Sequence, residues 1–402
     1  MAEVTNYIDR LVAELCPDGV EFYPIEELFT TRNGYTPSKS NSSYWENGTV
    51  PWFRMEDIRE NGGILSESLQ SVHESALKKG GMFPAGSIIV ATSATIGEHA
   101  LITVDFLCNQ RFTVLILKDE FKSLLSPKFL YYYSFVLDRW CLANTTQSSF
   151  ASVDMKRFKK FEFPVPPLEI QEAIVEILDK FTNLEAELEA ELEARTLQYE
   201  YYRDSLFEAL DCPRVPLGSF AQYSKDRKKD DSTVSVYVGV ENLKSDFQGC
   251  APTESTNPGV VFQKGDILLG NIRPYLKKMW RADSDGVASP DVLVIRIRDE
   301  FSEKISSRYL YHLLASNEFV GYNVAHSRGG KMPRGNKAKI LEFEAPIPSL
   351  EEQQRIVDIL DRFDALTSSL SEGLPAELAA RRSQYEYYRD QLLSFPRKGE
   401  NQ

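Results

Sequence analysis

The stretch FEFPVPPLEIQEAIVEILDKF at residues 161–181 returns at 343–363 as FEAPIPSLEEQQRIVDILDRF, aligned without a gap. Downstream of each copy stands the identical heptapeptide QYEYYRD, at 198–204 and again at 384–390. This duplication constrains the 402-residue chain more than its composition does, because whatever one half folds into, the other half must closely match. The offset grows from 182 to 186 between the two matches, so the second copy carries four extra residues. Four residues are close to one helical turn, and a side-chain stripe rotates by only about 40° across them.

Both copies read as helix. Pro166-Pro167 and Pro348-Ser349 stand just before the apolar pattern, where Pro is tolerated and Ser can cap. Ile170, Ile174, Ile177, Phe181, Leu184 and Leu188 then alternate at spacings of four and three, and Ile356, Ile359, Phe363, Leu366 and Leu370 repeat the alternation. Such a heptad seam predicts helices packed along their length. The first helix is expected from about Leu168 to Ala209, roughly 60 Å at about 1.5 Å per residue. The second is expected to kink or break at Ser371-Glu372-Gly373-Leu374-Pro375. The tract LEAELEAELEA (184–194) reads as a solvated coiled-coil face, or as an acidic surface that repels DNA or receives a basic partner.

The segments between the helices correspond more loosely. FPAGSIIVATSATIG (83–97) parallels FQKGDILLGNIRPYL (262–276) as a strand followed by a polar loop. NQRFTVLILKDE (109–120) parallels SPDVLVIRIRDE (289–300) as a second strand, and KFLYYYSFVLD (128–138) parallels RYLYHLLASNE (308–318) as an amphipathic helix. AELCPDGVEFYPI (13–25) echoes EALDCPRVPLGSF (208–220), so residues 1–19 read as a piece of helix end displaced to the front. The expected fold is mixed α/β: a short helical segment (1–19), an α/β domain (20–160), a long helix (161–212), a second α/β domain (213–342) and a second long helix (343–402). A chain so arranged can close into a pseudo-two-fold object.

Hydrophobic content of 42% and charged content of 26% fit a soluble globular protein. No run approaches the roughly 20 apolar residues of a spanning helix, and the acidic N-terminus lacks a signal-peptide pattern, so a cytoplasmic location and no membrane partner are expected. The five cysteines have no CxxC spacing and predict neither a metal site nor a disulfide framework. The net charge of −13 argues at first against a nucleic-acid partner, but it is unevenly spread. Residues 1–19 carry −3, 20–160 carry 0, 161–212 carry −11, 213–342 carry +5 and 343–402 carry −4.

A search for catalytic patterns finds none. GMFPAGS (81–87) lacks the phosphate-loop lysine, Asn257-Pro258 runs into Gly259 rather than an NPPY-type tetrapeptide, and His73-Glu74 is not followed by the second histidine of HExxH. What occurs in both halves is a basic, polar loop. NIRPYLKKMWR (271–281) offers Arg273, Tyr275, Lys277 and Lys278, and SRGGKMPRGNK (327–337) adds Arg328, Lys331, Arg334, Asn336 and Lys337. The first-half counterparts are TRNGYTPSKSNSSYW (31–45), with Arg32, Asn33, Tyr35 and Lys39, and DMKRFKK (154–160), with Lys156, Arg157 and Lys159. Lys and Arg neutralise phosphate, and Arg and Asn can bond base edges, so these residues are candidate DNA contacts.

The duplicated PxPPLExQ-type helix starts (164–171 and 346–353), the heptad helices and the TPSKSNSSYW and KMPRGNK loops resemble the specificity subunit of Type I restriction-modification systems, across essentially the whole chain. The resemblance implies two target recognition domains, each reading half of a split site in double-stranded DNA. It implies that the helices set the gap and dock two methyltransferase subunits, with two restriction/translocase subunits completing the assembly. Catalysis, S-adenosylmethionine, ATP and Mg would then belong to those partners, with no cofactor on this chain. The repeated heptapeptides assign Tyr199, Tyr201, Tyr202 and Arg203, with Tyr385, Tyr387, Tyr388 and Arg389, to helix packing and partner docking. The neutral first domain predicts weak DNA binding by the isolated chain. Two other readings stay open at this point: a stand-alone bipartite DNA-binding regulator, and a coiled-coil scaffold that binds protein.

Overall fold

The computed structural model describes residues 2–146, 151–229, 233–367 and 373–399, with side chains from Tyr7 onward. The chain forms two compact units, one of residues 1–186 with 380–402 and the other of residues 187–379. These divisions fall inside the helical repeats, so each unit combines an α/β domain with the start of one repeat helix and the end of the other.

In the first unit a five-stranded sheet runs in the order Phe29–Asn33, Phe112–Leu117, Ser87–Ala91, His99–Ile102, Ile64–Leu65, antiparallel except for its last pair. The strand SIIVA is buried at every position because its two faces serve different cores. Ile88 and Val90 face the helix Pro127–Ala143, while Ile89 and Ala91 face a second cluster with Trp52, Phe53 and Phe106. That is the period-two alternation of a strand with no solvent side. The second unit repeats the device. Its four-stranded sheet, Ala221–Tyr223, Val292–Ile297, Ile267–Gly270, Met279–Arg281, turns Ile267, Leu269, Leu293 and Ile295 to one core and Leu268, Val292 and Val294 to another. The segment expected as one amphipathic helix, RYLYHLLASNE, is interrupted. Ser307–Ala315 stops at Ser316, whose extended backbone (ψ 151°) and side chain cap a new helix, Asn317–Ala325.

The helix Leu168–Glu208 is continuous over 41 residues. The second repeat forms Leu350–Thr367 and Gly373–Leu392; the expected break at Ser371-Glu372 and the seam position Leu370 lie outside the described residues. The heptad seam needs correction. Ile170, Ile174 and Leu178 are fully buried, as are Ile356 and Leu360, whereas Ile177 and Ile359 are half-buried and Leu184 is 49% exposed. At its start each helix packs into the domain core of its own unit, so the buried stripe is broader than the seam, taking in Gln171 and Leu178 in the first copy and Gln353, Val357 and Leu360 in the second, while the seam positions Phe181 and Phe363 meet the other repeat helix.

The PxPPLExQ-type motif acts through its glutamine. Gln171 is 0% exposed: its Oε1 accepts from the Ser126 amide (2.9 Å), and its Nε2 donates to the Leu124 and Pro166 carbonyls (2.7 Å each). Gln353 does the same with Ser306 N, Lys304 O and Pro348 O at 2.9–3.0 Å. Each glutamine therefore ties the start of a repeat helix to the loop that opens the domain helix of its unit. An amide does this because one end accepts and the other donates twice. A two-strand clasp seals each junction, Phe22–Pro24 with Glu162–Pro164 and Arg214–Pro216 with Glu344–Pro346. The expected helical piece at the front is Ala2–Leu15; its Ile8 shares a core with Leu392 and Leu393, and Val20 bridges to Arg397.

Candidate nucleic-acid interface

In the second unit the two basic loops foreseen from the sequence are bonded to each other. Arg273 N donates to Pro333 O (2.7 Å), Gly335 N donates to Asn271 O (3.0 Å), and β-bridges join Ile272 and Arg328 to Arg334. Arg273 holds a left-handed backbone (φ 51°), an arrangement that costs a non-glycine residue about 1 kcal/mol or more. At Gly335 a Cβ would stand 2.8 Å from Asn323 Oδ1 and 2.9 Å from Asn271 Oδ1, so the loop can approach only because that side chain is missing. Arg328, Lys331, Arg334 and Lys337 are exposed on this ledge, and Tyr275 is 49% exposed. Other candidates are committed to the protein itself. Lys278 Nζ donates to Val240 O (2.8 Å), Lys277 pairs with Glu200 (3.7 Å), and Asn336 Oδ1 caps the helix Lys337–Glu342.

The first unit repeats the backbone of this ledge with different side chains. Ala94, again left-handed (φ 66°), donates its amide to Ala151 O (3.2 Å), and Val153 N donates to Thr92 O (2.9 Å). Asp154 caps Met155–Phe158 as Asn336 caps its helix, leaving Lys156, Arg157 and Lys159 exposed. Residues 147–150, just before this loop, lie outside the described residues.

A second surface of the first unit is a cleft of about 660 Å³ with Thr36, Lys39, Trp45, Trp52, Arg54, Gln70, Gln110 and Arg111 on its walls. Its frame is rigid. Trp45 and Trp52 meet edge to face at 5.0 Å, and their indole N–H groups hold Ser38 O (3.1 Å) and Tyr35 O (3.0 Å). Of the sequence candidates here, Lys39 is exposed on the cleft. Arg32 lies half-buried over Phe83 at 4.7 Å, and Asn33 accepts from Thr113 (3.3 Å). Tyr35 is a frame member: its hydroxyl donates to Ala76 O (3.1 Å), and burial raises its pKa. Sequence reasoning missed Gln110, Arg111 and Arg54. The first two sit in a segment read only as the start of a strand, and nothing local in the sequence marks that turn as part of a cleft.

The heptapeptide residues are packing residues within each unit. Tyr202 stacks on Phe363 at 5.6 Å beside Tyr199 at 6.2 Å, and Tyr388 stacks on Phe181 at 5.9 Å beside Tyr385 at 6.1 Å. Arg203 is 1% exposed and lies over Tyr199; Arg389 lies over Phe135 at 4.4 Å. Asp204 accepts from the Asn317 amide (2.9 Å), and Asp390 pairs with Arg139. Tyr201 and Tyr387 are 69% and 59% exposed and touch this packing edge to face, through Tyr202 at 5.7 Å and Tyr388 at 5.3 Å. Beneath it, Asp361 lies 2.7 Å from His312 Nε2. Burial pushes that carboxyl up, but the His312 hydrogen bond and the Arg308 charge prevail and hold it below the usual carboxylate range.

Among the described residues no helix is long and apolar enough to cross a membrane. Comparison with known proteins places these features in one lineage. The family model described as the Type I restriction modification DNA specificity domain matches residues 17–194 and 219–380. The chain is 38% identical over 395 residues to the Type I restriction enzyme EcoprrI specificity subunit of Escherichia coli, covering 91% of this chain and 92% of that one. It is 33% identical over 305 residues to the EcoR124I/EcoR124II specificity subunit of the same organism, covering 69% and 73%. A solved structure from work on complex assembly and conformational transition of the type I R-M system shares the fold, with a TM-score of 0.65 at 16% identity over 93% of this chain and 97% of that chain. With both halves matched and the length shared almost end to end, the chain belongs to the family of Type I restriction-modification specificity subunits.

Proposed function

We propose that this chain binds a split, asymmetric site in double-stranded DNA, each unit reading one half, and brings the modification machinery to it. As a member of a family of recognition subunits it supplies sequence specificity and not catalysis. The observation that carries the two-half reading is the ledge. The same backbone bonds tie the same pair of loops in both units, while the side chains displayed on them differ. A common frame with divergent side chains is what two different half-sites require, because phosphate contacts position a protein and base contacts specify. In this proposal two methyltransferase subunits dock on the duplicated helical surfaces, with Tyr201 and Tyr387 as equivalent exposed positions. Two restriction/translocase subunits complete the assembly, and S-adenosylmethionine, ATP and Mg bind on those partners. Family membership disfavours the stand-alone regulator and the protein-binding scaffold.

The test is co-expression with the cognate methyltransferase subunit in a host lacking adenine methylation, followed by a genome-wide map of methylated bases. The expected result is a split motif that appears only when this chain is present. No new methylation from a methyltransferase that co-purifies with the chain would overturn the proposal.

A further inference from the structure

The turn that leads into the second strand of each domain sheet, Phe112–Leu117 or Val292–Ile297, occupies the same place in both units. In the first unit Phe112 N bonds Asn109 O (3.3 Å) and Thr92 N bonds Arg111 O (3.0 Å). In the second, Val292 N bonds Ser289 O (3.0 Å) and Asn271 N bonds Asp291 O (2.9 Å). Arg111 therefore corresponds to Asp291, and by the ledge bonds Ser152 corresponds to Arg334. In the second unit these two positions hold an ion pair, Arg334 Nη2 to Asp291 Oδ1 at 3.2 Å. In the first the charges are rearranged. The turn supplies the guanidinium, the last loop supplies a hydroxyl, and among the described residues no carboxylate pairs with Arg111, which is exposed. At this pair of positions each unit thus presents an exposed guanidinium, delivered from opposite elements.

The surroundings of Arg111 suit base reading better than a simple phosphate contact. Gln110 is exposed beside it, and the Thr36 hydroxyl donates to Gln110 Oε1, which leaves the amide N–H groups facing out. Arg111 itself has only donors. Donors therefore dominate beside Arg111, while the Ser152 hydroxyl can also accept and the Glu46 and Glu56 carboxylates line the same cleft. Of the base edges in a major groove, guanine shows two adjacent acceptors, N7 and O6, and Arg takes them in a bidentate pair. The turn is also held in place. A Cβ at Gly34 would strike the carbonyl oxygens of Cys108 and Asn109, so the neighbouring strand runs directly against it, and Tyr35 N bonds Cys108 O at 2.7 Å.

We propose that Arg111 is the base-reading guanidinium of the first unit, taking a guanine of one half-site, and that Arg334 on its Asp291 support plays this part in the second unit. The proposal rests on the split-site reading above and adds the residue and the base.

The experiment is the same methylation map, made for the wild-type chain and for Arg111→Ala, Arg111→Gln and Arg334→Ala, each co-expressed with the methyltransferase. A wild-type chain that yields no split motif would sink the broader reading. With a split motif in hand, Arg111→Ala is expected to lower discrimination for guanine at one position of one half-site by about tenfold or more, leaving the other half unchanged. Arg111→Gln is expected to move preference at that position toward adenine, and Arg334→Ala to relax a position in the opposite half. Four results would overturn the inference: an unaltered motif in both Arg111 variants, a uniform fall in methylation with every base preference kept, changes from Arg111 and Arg334 in the same half, or loss of co-purification.

Discussion

Replacing Gln171 with leucine isolates what the duplicated motif contributes to the fold. The side chain is fully buried and makes three hydrogen bonds to main-chain groups, with Ser126 N, Leu124 O and Pro166 O. Leucine fills a similar volume but satisfies none of them. A buried polar group left unpaired costs about 1–3 kcal/mol, so three such groups, with some relaxation and entry of water at the loop, destabilise the junction by about 3–5 kcal/mol. At about 1.4 kcal/mol per tenfold, amide exchange should accelerate by at least about a hundredfold. The effect should be confined to the start of Leu168–Glu208 and to Pro127–Ala143. Gln353→Leu should do the same to the start of Leu350–Thr367 and to Ser307–Ala315. Hydrogen exchange with mass spectrometry reads both. Acceleration below tenfold, or loosening of both units by either substitution, would refute the reasoning that each glutamine pins its own unit. Gln171→Glu adds a sign test. Its carboxylate would face two carbonyl oxygens, so its folded pKa should lie above the unfolded one, and the variant should gain stability as pH falls through that range.

Phe363→Ala removes the ring under Tyr199 and Tyr202 and should cost about 2 kcal/mol, below the 3–5 typical of a fully buried ring because Phe363 is half-buried; urea unfolding followed by tyrosine fluorescence reads it. Asp361 has a lowered folded pKa, so its stabilising contribution is present above the unfolded value near about 4 and is lost as pH falls through the folded value. Asp361→Asn should accordingly flatten the acid limb of stability against pH, and an unchanged limb would show that the contribution lies elsewhere. Lys331→Ala and Lys337→Ala should each weaken DNA binding by the assembled complex without altering the motif, and reduce the slope of log K against log salt by about 0.9 if each touches one phosphate. Gly335→Ala places a methyl group against Asn271 and Asn323, and should impair recognition of the second unit's half-site alone in a binding assay with one half-site randomised at a time.

Much of this architecture was legible because it is written twice. The helix Leu168–Glu208 falls within a residue of the expected end, and the paired strands and loops lie where the correspondence of the halves put them. The seam was read in part: Ile170, Ile174 and Ile356 are buried and Phe181 and Phe363 meet the other repeat helix, but Leu178 is buried where the half-buried Ile177 was expected, because the domain core takes a wider face of the helix and the two residues are equally apolar. Ser316 could have been seen as a cap, but the apolar run on either side of it favoured one helix. The basic loops were visible as charge, yet which cations face outward was not. Lys277 and Lys278 read like Lys331 and Lys337 until their partners Glu200 and Val240, distant in sequence, are in place. The cleft around Gln110 and Arg111 escaped for the same reason, since its walls come from four separate stretches between residues 36 and 111.

The most direct test of the two-half account is domain exchange. Residues 20–160 would be replaced with the corresponding domain of a relative that has a different motif, and the methylated sites mapped with the same methyltransferase. The account predicts that one half of the split motif changes to the donor's sequence while the other half stays as it was. A motif altered in both halves, or in neither, from a chain that still assembles with its partner would contradict it.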